Sequence, residues 1–233
     1  MLTAIALVPS APVMVPELAG GAADELADLR AAVARCVHGL PDRWVAVGVG
    51  PSDEVLTPPR VGTFAGYGVD VRVALSPDDL SPDSAGDPVE MPLCALAAGW
   101  VRGRFAAHAA AEVRVFSAEH DPDAALAHGR RLRALIDEAD GDIGVLVVAD
   151  GCHTLTPPAP GGYDPESVPV QAALDDALAT GAAAALGRLP RSVVGRVAYQ
   201  VLAGLTEPAP AGAQEFYRGA PYGVGYFAGR WTP

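Results

Sequence analysis

Three polar residues that could take part in chemistry, Ser10, Asp53 and His153, each stand a few positions beyond a short apolar run. A serine, an aspartate and a histidine that share a cleft could form a hydrolytic triad, but this serine lacks the G-x-S-x-G context of a nucleophile elbow. Aspartate and histidine could instead ligate iron, manganese or zinc, although two ligands are too few for tight binding. Taken singly, Ser10 and Asp53 are better explained as turn or helix-cap residues, so these alternatives stay open.

Two further residues are candidates for the same cleft. His120 follows a strand-like run and stands beside Asp121. Tyr222 lies in a tail whose glycines permit a ligand or another backbone to approach closely, although a β-hairpin with packed aromatic residues is the favoured interpretation of that tail. His108 and His128 lie on helical stretches, where solvated or dipole-stabilising roles are expected.

The elements that must position these residues alternate between strands and helices. Continuous apolar runs are typical of strands buried on both faces, and they occur at Leu2–Val8, Trp44–Val49 and Ile143–Val148. Apolar spacing and cap signals predict helices over Gly20–His38, Met91–Ala111, Pro122–Ala139, and about 166–187 and 191–204. Further strands are expected at Val69–Leu75, as a third member of the sheet, at Val113–Phe116 and in a closing pair, with a surface loop over Ser76–Glu90.

This alternation predicts an α/β fold with a central, mostly parallel or mixed sheet flanked by helices on both faces, because parallel strands need crossover connections. One domain covering residues 1–233 is expected. Ligands of such sheets bind beyond the carboxyl ends of the strands, which places Ser10, Asp53 and His153 at one cleft.

Composition excludes several classes of function. The 233 residues contain 28 acids and 16 basic residues, all of them arginine, and the resulting formal charge of −12 disfavours nucleic acid as a partner. Without lysine the chain has neither a Walker-type phosphate loop nor a Schiff-base nucleophile. No apolar run reaches the length that spans a bilayer, so membrane insertion is not expected. Cys36, Cys94 and Cys152 are widely spaced and odd in number, and the first residues lack the basic start of a secretory signal, which together predict a reducing cytoplasm.

Four short segments carry a family resemblance: Pro9-Ser10, Gly50-Pro51-Ser52-Asp53, Asp150-Gly151-Cys152-His153 and Val194-Gly195-Arg196. Through their order and their placement at strand ends, the chain resembles the superfamily that unites class III extradiol dioxygenase B-type subunits with Memo-like proteins. Members have Pro-His and Gly-Pro-Ser-His where this chain has Ser10 and Asp53, so both histidines are replaced. The Asp-x-x-His element is intact, and in the dioxygenases its histidine resembles the acid/base.

The resemblance implies an extradiol dioxygenase-like protein whose metal site is degenerate, because Fe(II) in these enzymes is held by two histidines and a carboxylate. No position matches that carboxylate, although Glu207 and Glu215 lie in the corresponding half of the chain. We expect ring cleavage to be lost and the cleft to bind a small molecule or a partner chain. No cofactor is expected; if Fe(II) or zinc binds weakly, Asp53 and His153 are the plausible ligands.

An active enzyme is the alternative: a metal-dependent oxidoreductase, hydrolase or lyase in which His153 acts as general acid or base with Asp53. A structural subunit is a third hypothesis, and a homo-oligomer or a partner subunit is compatible with each. The residues expected to matter are His153 and Asp150 for catalysis, and Ser10, Asp53, His120 and Tyr222 for binding.

Overall fold

Nine strands and seven α-helices form the structure, a computed structural model that describes residues 1–78 and 87–233. The strands are β1 (Leu2–Val8), β2 (Arg43–Gly50), β3 (Glu54–Leu56), β4 (Val61–Thr63), β5 (Arg72–Ala74), β6 (Ala110–Ser117), β7 (Ile143–Val148), β8 (Gly212–Gly219) and β9 (Tyr226–Thr232). The helices are α1 (Pro16–Ala19), α2 (Ala27–Val37), α3 (Leu93–Phe105), α4 (Pro122–Glu138), α5 (Ser167–Thr180), α6 (Ala183–Leu186) and α7 (Arg196–Leu205).

A seven-stranded mixed sheet with the strand order β3-β6-β2-β7-β1-β9-β8 forms the centre of the fold. Its four inner strands β6, β2, β7 and β1 are parallel, while β3 at one edge and the β9-β8 hairpin at the other run antiparallel to their neighbours. The four parallel strands therefore all end at the same edge of the sheet.

Helices cover both faces of this sheet, and each face has its own apolar core. On one face, alternate strand residues such as Ala6, Ala46 and Leu146 pack with α2 and α3. On the other, Ile5, Val47 and their neighbours pack with the helices α4 to α7. The predicted fold class, an α/β protein with helices on both faces of a mixed sheet, is confirmed.

Several predicted boundaries are corrected. The run Val69–Leu75 does not join the main sheet: its β5 portion pairs with β4 in a separate two-stranded sheet, where Val73 lies against Gly99 of α3. The helix predicted from Met91 ends earlier, at Phe105. The buried Arg102 guanidinium donates hydrogen bonds to the carbonyls of Ala74, Ala107 and Ala109, and these bonds hold the following alanines in a turn that leads into β6.

The other differences concern helix starts and breaks. The first helix is a 3-10 helix over Gly20–Leu26 before it becomes α2. The predicted helix at about 166–187 breaks at Gly181, which has a positive φ of 72° that suits glycine. Within the loop predicted over Ser76–Glu90, positions 79–86 lie outside the described residues.

The helices α4 and α7 cross in close contact because a glycine stands at the crossing on each helix. A Cβ atom on Gly129 would lie 2.1 Å from the carbonyl oxygen of Val201, and one on Gly204 would lie 2.1 Å from that of Leu126. Both clashes are with backbone atoms, which cannot rotate away. This contact sets the position of α4 over the sheet.

Among the described residues, no helix is both long and apolar enough to cross a membrane. The three thiols, of Cys36, Cys94 and Cys152, are buried and unpaired.

We expect Gly204→Ala to destabilise the protein by about 1–3 kcal/mol, the usual cost of overpacking, because the added methyl group must push α4 and α7 apart. The matched control is Gly103→Ala on α3, where a Cβ atom meets nothing within 4 Å and alanine favours the helix by up to about 1 kcal/mol. Urea denaturation of the three proteins measures both effects. Equal stability of Gly204→Ala and the parent would contradict the close crossing.

Candidate functional site

The strand register brings two pairs of candidate residues together at the carboxyl edge of the sheet. Gly50 of β2 pairs with Ser117 of β6, and Asp53 and His120 each follow three residues later. Val8 of β1 pairs with Val148 of β7, and Ser10 and Asp150 each follow two residues later. Equal offsets from paired residues place Asp53 beside His120, and Ser10 beside Asp150.

Asp53, His120 and His128 form the first cluster, called the histidine cluster below. The Nε2 atom of His120 lies 2.7 Å from Oδ1 and 3.0 Å from Oδ2 of Asp53. The rings of His120 and His128 are tilted by 53° with centroids 4.7 Å apart, and the ring of His128 also lies 5.1 Å from that of Phe116. One ligand atom from each of the three residues lies within 4.8 Å of the others.

His128 is a functional candidate that sequence reasoning missed. The expectation of a solvated or dipole-stabilising role is corrected, because the side chain is half-buried between Phe116 and His120. A signal for this position exists in the sequence. Asp121 is the N-cap of α4, and a residue seven positions later lies almost two full turns on, facing the same side as the loop before the helix.

The charges of the cluster suit a cation. Burial acts to raise the pKa of Asp53, but hydrogen bonds from the Ser117 N–H and from His120 outweigh it, so the pKa lies below its ordinary value. Burial lowers the pKa of His128, and the neighbouring charge of His120 lowers it further. At neutral pH the carboxylate is therefore ionised and the His128 imidazole is neutral, which are the forms that ligate metals.

Arg196 holds the loop that carries His120 by hydrogen bonds to its backbone. This arginine is buried at the start of α7, and its guanidinium donates hydrogen bonds to the carbonyls of Ala118 and His120 at 2.7 and 3.0 Å. It also lies 3.4 Å from Oε1 of Gln200. Arg196 thus holds the backbone of the loop, so that the His120 ring keeps its position beside Asp53.

Ser10 and Asp150 form the second cluster, called the acid cluster below, with Tyr226. The Ser10 N–H donates a hydrogen bond of 2.8 Å to Oδ1 of Asp150. Burial raises the pKa of Asp150 to about 7, even though the Ser10 bond acts in the opposite direction. The pKa of Tyr226 is raised by its own burial and by the nearby charge of Asp150. A carboxyl group that titrates near neutral pH can both give and take a proton.

His153 is separate from the histidine cluster within the described residues. Its ring packs against Gly161, where an added Cβ would lie 2.5 Å from Cδ2, and its Nδ1 atom is buried without a hydrogen-bond partner among the described residues. The loop that carries it pairs with the glycine-rich tail, as Gly151 N–H donates to Gly225. Catalytic roles for His153 and Asp150 stay predictions.

The glycine-rich tail makes close contacts with the protein's own side chains. A Cβ on Gly225 would lie 2.2 Å from the side chain of Gln171, and one on Gly223 would lie 2.3 Å from Oγ1 of Thr156. The tail leads into β9, which forms a hairpin with β8, as favoured from the sequence. Tyr222 donates a hydrogen bond of 3.0 Å to Glu25.

The donor set of the histidine cluster fits a divalent transition metal. Two imidazoles and one carboxylate are the protein ligands of many catalytic zinc and non-haem iron sites. Bonds of about 2.0–2.2 Å place two ligands of one ion about 3 Å apart, so the three atoms need only small side-chain rotations to meet an ion. Asp53 and its partner His120 are 48% and 21% exposed, which leaves an approach for ion and substrate.

We expect stability to fall between about pH 4 and pH 7 because of Asp150. The unfolded chain releases this proton at the ordinary pKa of 3.8, whereas the native state holds it up to about 7 and so binds more protons in between. The loss is on the order of 2–4 kcal/mol and persists at higher pH. The side-chain oxygen of Asp150→Asn can still accept the hydrogen bond from Ser10. This variant should therefore lack the pH-dependent loss of stability and be more stable than the parent at pH 8.

Thermal unfolding of both proteins between pH 4 and 8 measures this effect. Burial also raises the pKa of Asp175, to about 6, and this residue is present in both proteins. The effect of Asp150 is therefore the difference in stability between variant and parent at each pH. Parallel stability curves for the two proteins would contradict the raised pKa of Asp150.

No protein-family model matches the chain, and no curated protein matches it. Among solved structures, the chain is similar to the crystal structure of uncharacterized protein JW3007 from Escherichia coli K12, with a TM-score of 0.57 and 11% sequence identity. The match covers 98% of this chain and 99% of that chain. At this identity the likeness shows a shared α/β fold over nearly the whole length of both chains.

Proposed function

We propose that this protein is a metal-dependent enzyme that acts on a small molecule at the carboxyl edge of its sheet, with a divalent ion held by Asp53, His120 and His128. The convergence of one carboxylate and two imidazoles within 4.8 Å carries this proposal. Such an ion, when bound, acts as a Lewis acid that polarises a carbonyl group or activates water. Three protein ligands leave coordination positions open for substrate and water.

The chain's own residues supply orientation and proton transfer. The Ser117 N–H and the Arg196 guanidinium hold Asp53 and the His120 loop in place. Asp150, in the acid cluster on the loop after β7, has its pKa raised by burial to about 7 and is a second group that can exchange a proton near neutral pH. β7 pairs with β2, the strand that leads to Asp53.

The partner we propose is a small molecule, because the charge of −12 repels nucleic acid. The buried, unpaired thiols support a location in a reducing cytoplasm.

We also propose that aromatic ring cleavage is lost. The chain resembles extradiol dioxygenases at Ser10, Asp53 and His153, but the imidazoles of the histidine cluster come from β6 and α4, on the side of β2 away from Ser10. An ion held by this cluster would lie away from His153, the residue that matches the acid/base of the dioxygenases. Ring cleavage needs the metal ion and the acid/base to act on the same substrate.

We expect the parent protein to bind one Zn²⁺ per chain, measured by isothermal titration calorimetry and by metal analysis after dialysis. Asp53→Asn and His128→Gln each remove a ligand, so each should weaken binding by more than the roughly 10–100-fold typical of changes in outer-shell residues. If zinc bound the parent and both variants equally, or bound none of them, the proposed metal site would be wrong.

Two histidines serve as controls for this experiment. His108 lies 3.2 Å from Asp42 on an exposed surface and, like His153, belongs to no group of three ligands among the described residues. His108→Gln and His153→Gln should therefore bind zinc like the parent. A loss of affinity in His153→Gln would place the ion at the position favoured from the sequence, beside Asp53 and His153.

For ring cleavage, we expect the Fe(II)-loaded protein to consume no more oxygen with catechol than the metal-free protein does. An oxygen electrode and absorbance spectra for ring-opened product measure this outcome. Stoichiometric oxygen uptake with formation of such a product would overturn the proposed loss of ring cleavage, while the zinc titration would still report on the ligands.

A further inference from the structure

A groove opens directly beside the histidine cluster, between α4 on one side and β3 and β6 on the other. It has a volume of about 270 Å³, and both Asp53 and His128 belong to its lining. A second groove of about 240 Å³ continues it along α4 and shares Arg114, Leu132 and Leu135. Binding pockets for small molecules start at about 300 Å³, so the space fits a ligand of about one ring.

Most of the groove wall beyond the cluster is apolar. Val55 of β3 and Leu135 of α4 are 50% and 44% exposed, although both are large aliphatic residues. Phe116 and Leu132, both buried, complete the apolar part of the lining. Exposed aliphatic side chains that face a concave surface next to polar ligands are typical of a binding site for an apolar group.

Arg131 is the cation that this groove offers to a ligand. It is exposed on α4, one turn beyond His128, and close enough that its charge lowers the pKa of that histidine. Among the described residues, no carboxylate forms an ion pair with it. Arg114, the other arginine of the lining, is neutralised by Glu112 at 2.8 Å.

The negative charge of the whole chain makes Arg131 important for an acidic ligand. At −12 the protein repels anions, so an acidic ligand needs a local positive group. The acids of the lining are Asp53, which is committed to Ser117 and His120, and Glu54, which lies on β3. Glu54 disfavours a second negative charge on the ligand.

We infer that the substrate is a small carboxylic acid with one negative charge and an apolar, ring-sized body. Its carboxylate binds the Arg131 guanidinium, its body covers Val55, Leu132 and Leu135, and its reacting end points to the histidine cluster. A planar guanidinium matches a carboxylate with two parallel hydrogen bonds. This inference rests on the proposed function for the reaction, but the groove and Arg131 are present without a metal ion.

The test compares benzoate with its neutral isostere benzamide, titrated into metal-free and zinc-loaded protein by NMR chemical-shift mapping. We expect benzoate to bind the parent at least about tenfold more tightly than benzamide, as a charge-assisted pair provides. Arg131→Gln should abolish this preference. The control Arg133→Gln, on the same helix and paired with Asp137 instead, should keep it.

Each outcome separates the two proposals. If zinc does not bind the parent while benzoate shows the Arg131-dependent preference, the proposed metal site fails and the acid-binding groove stands. If zinc binds but benzoate shows no preference over benzamide, or keeps its preference in Arg131→Gln, the inference on the substrate is overturned. Benzoate that binds only the zinc-loaded protein and ignores Arg131 also overturns it.

Discussion

Four parallel strands in register are the constraint on which the candidate site depends. Parallel pairing of β6, β2, β7 and β1 sends four chain segments out of the sheet at the same edge. Because the paired residues are aligned, loops with equal offsets meet, and two polar pairs form at neighbouring positions. The strands β1, β2 and β7 can be buried on both faces because their inner residues are almost all apolar, so their polar groups are confined to the ends.

The helix α7 connects the two clusters through its first turn. Gly195 donates a hydrogen bond of 2.8 Å to the carbonyl of Asp150, and a Cβ there would lie 2.5 Å from Ala149. The next residue, Arg196, binds the loop of His120. The same helix crosses α4 at Gly204, and α4 carries His128. A single buried helix therefore sets the relative positions of the acid cluster, the His120 loop and the third potential ligand.

The two clusters differ in their exposure to solvent, and therefore in their access to ligands and in the pKa values of their acids. The histidine cluster opens to solvent and to the groove along α4, so an ion and a ligand can reach it. Asp150 is partly buried beside Tyr226, where the cost of desolvating a charge raises its pKa into the neutral range.

The sequence by itself determined the fold class and most elements, and it placed Ser10, Asp53, His120 and Asp150 just beyond the ends of strands. Apolar periodicity identified β1, β7 and α4 within a residue of their bounds, since burial of a strand or of one helix face depends on local composition. The same pattern could not assign Val69–Leu75 to its small separate sheet, because a strand's alternation is the same in either sheet.

Only the tertiary structure decided which polar residues meet. Sequence patterns placed Asp53 with His153, whereas strand register placed Asp53 with His120 and the crossing of α4 over α7 added His128. Spacing along the chain does not encode these contacts. They arise from hydrogen bonds between strands and from backbone approach between helices, which join residues far apart in sequence.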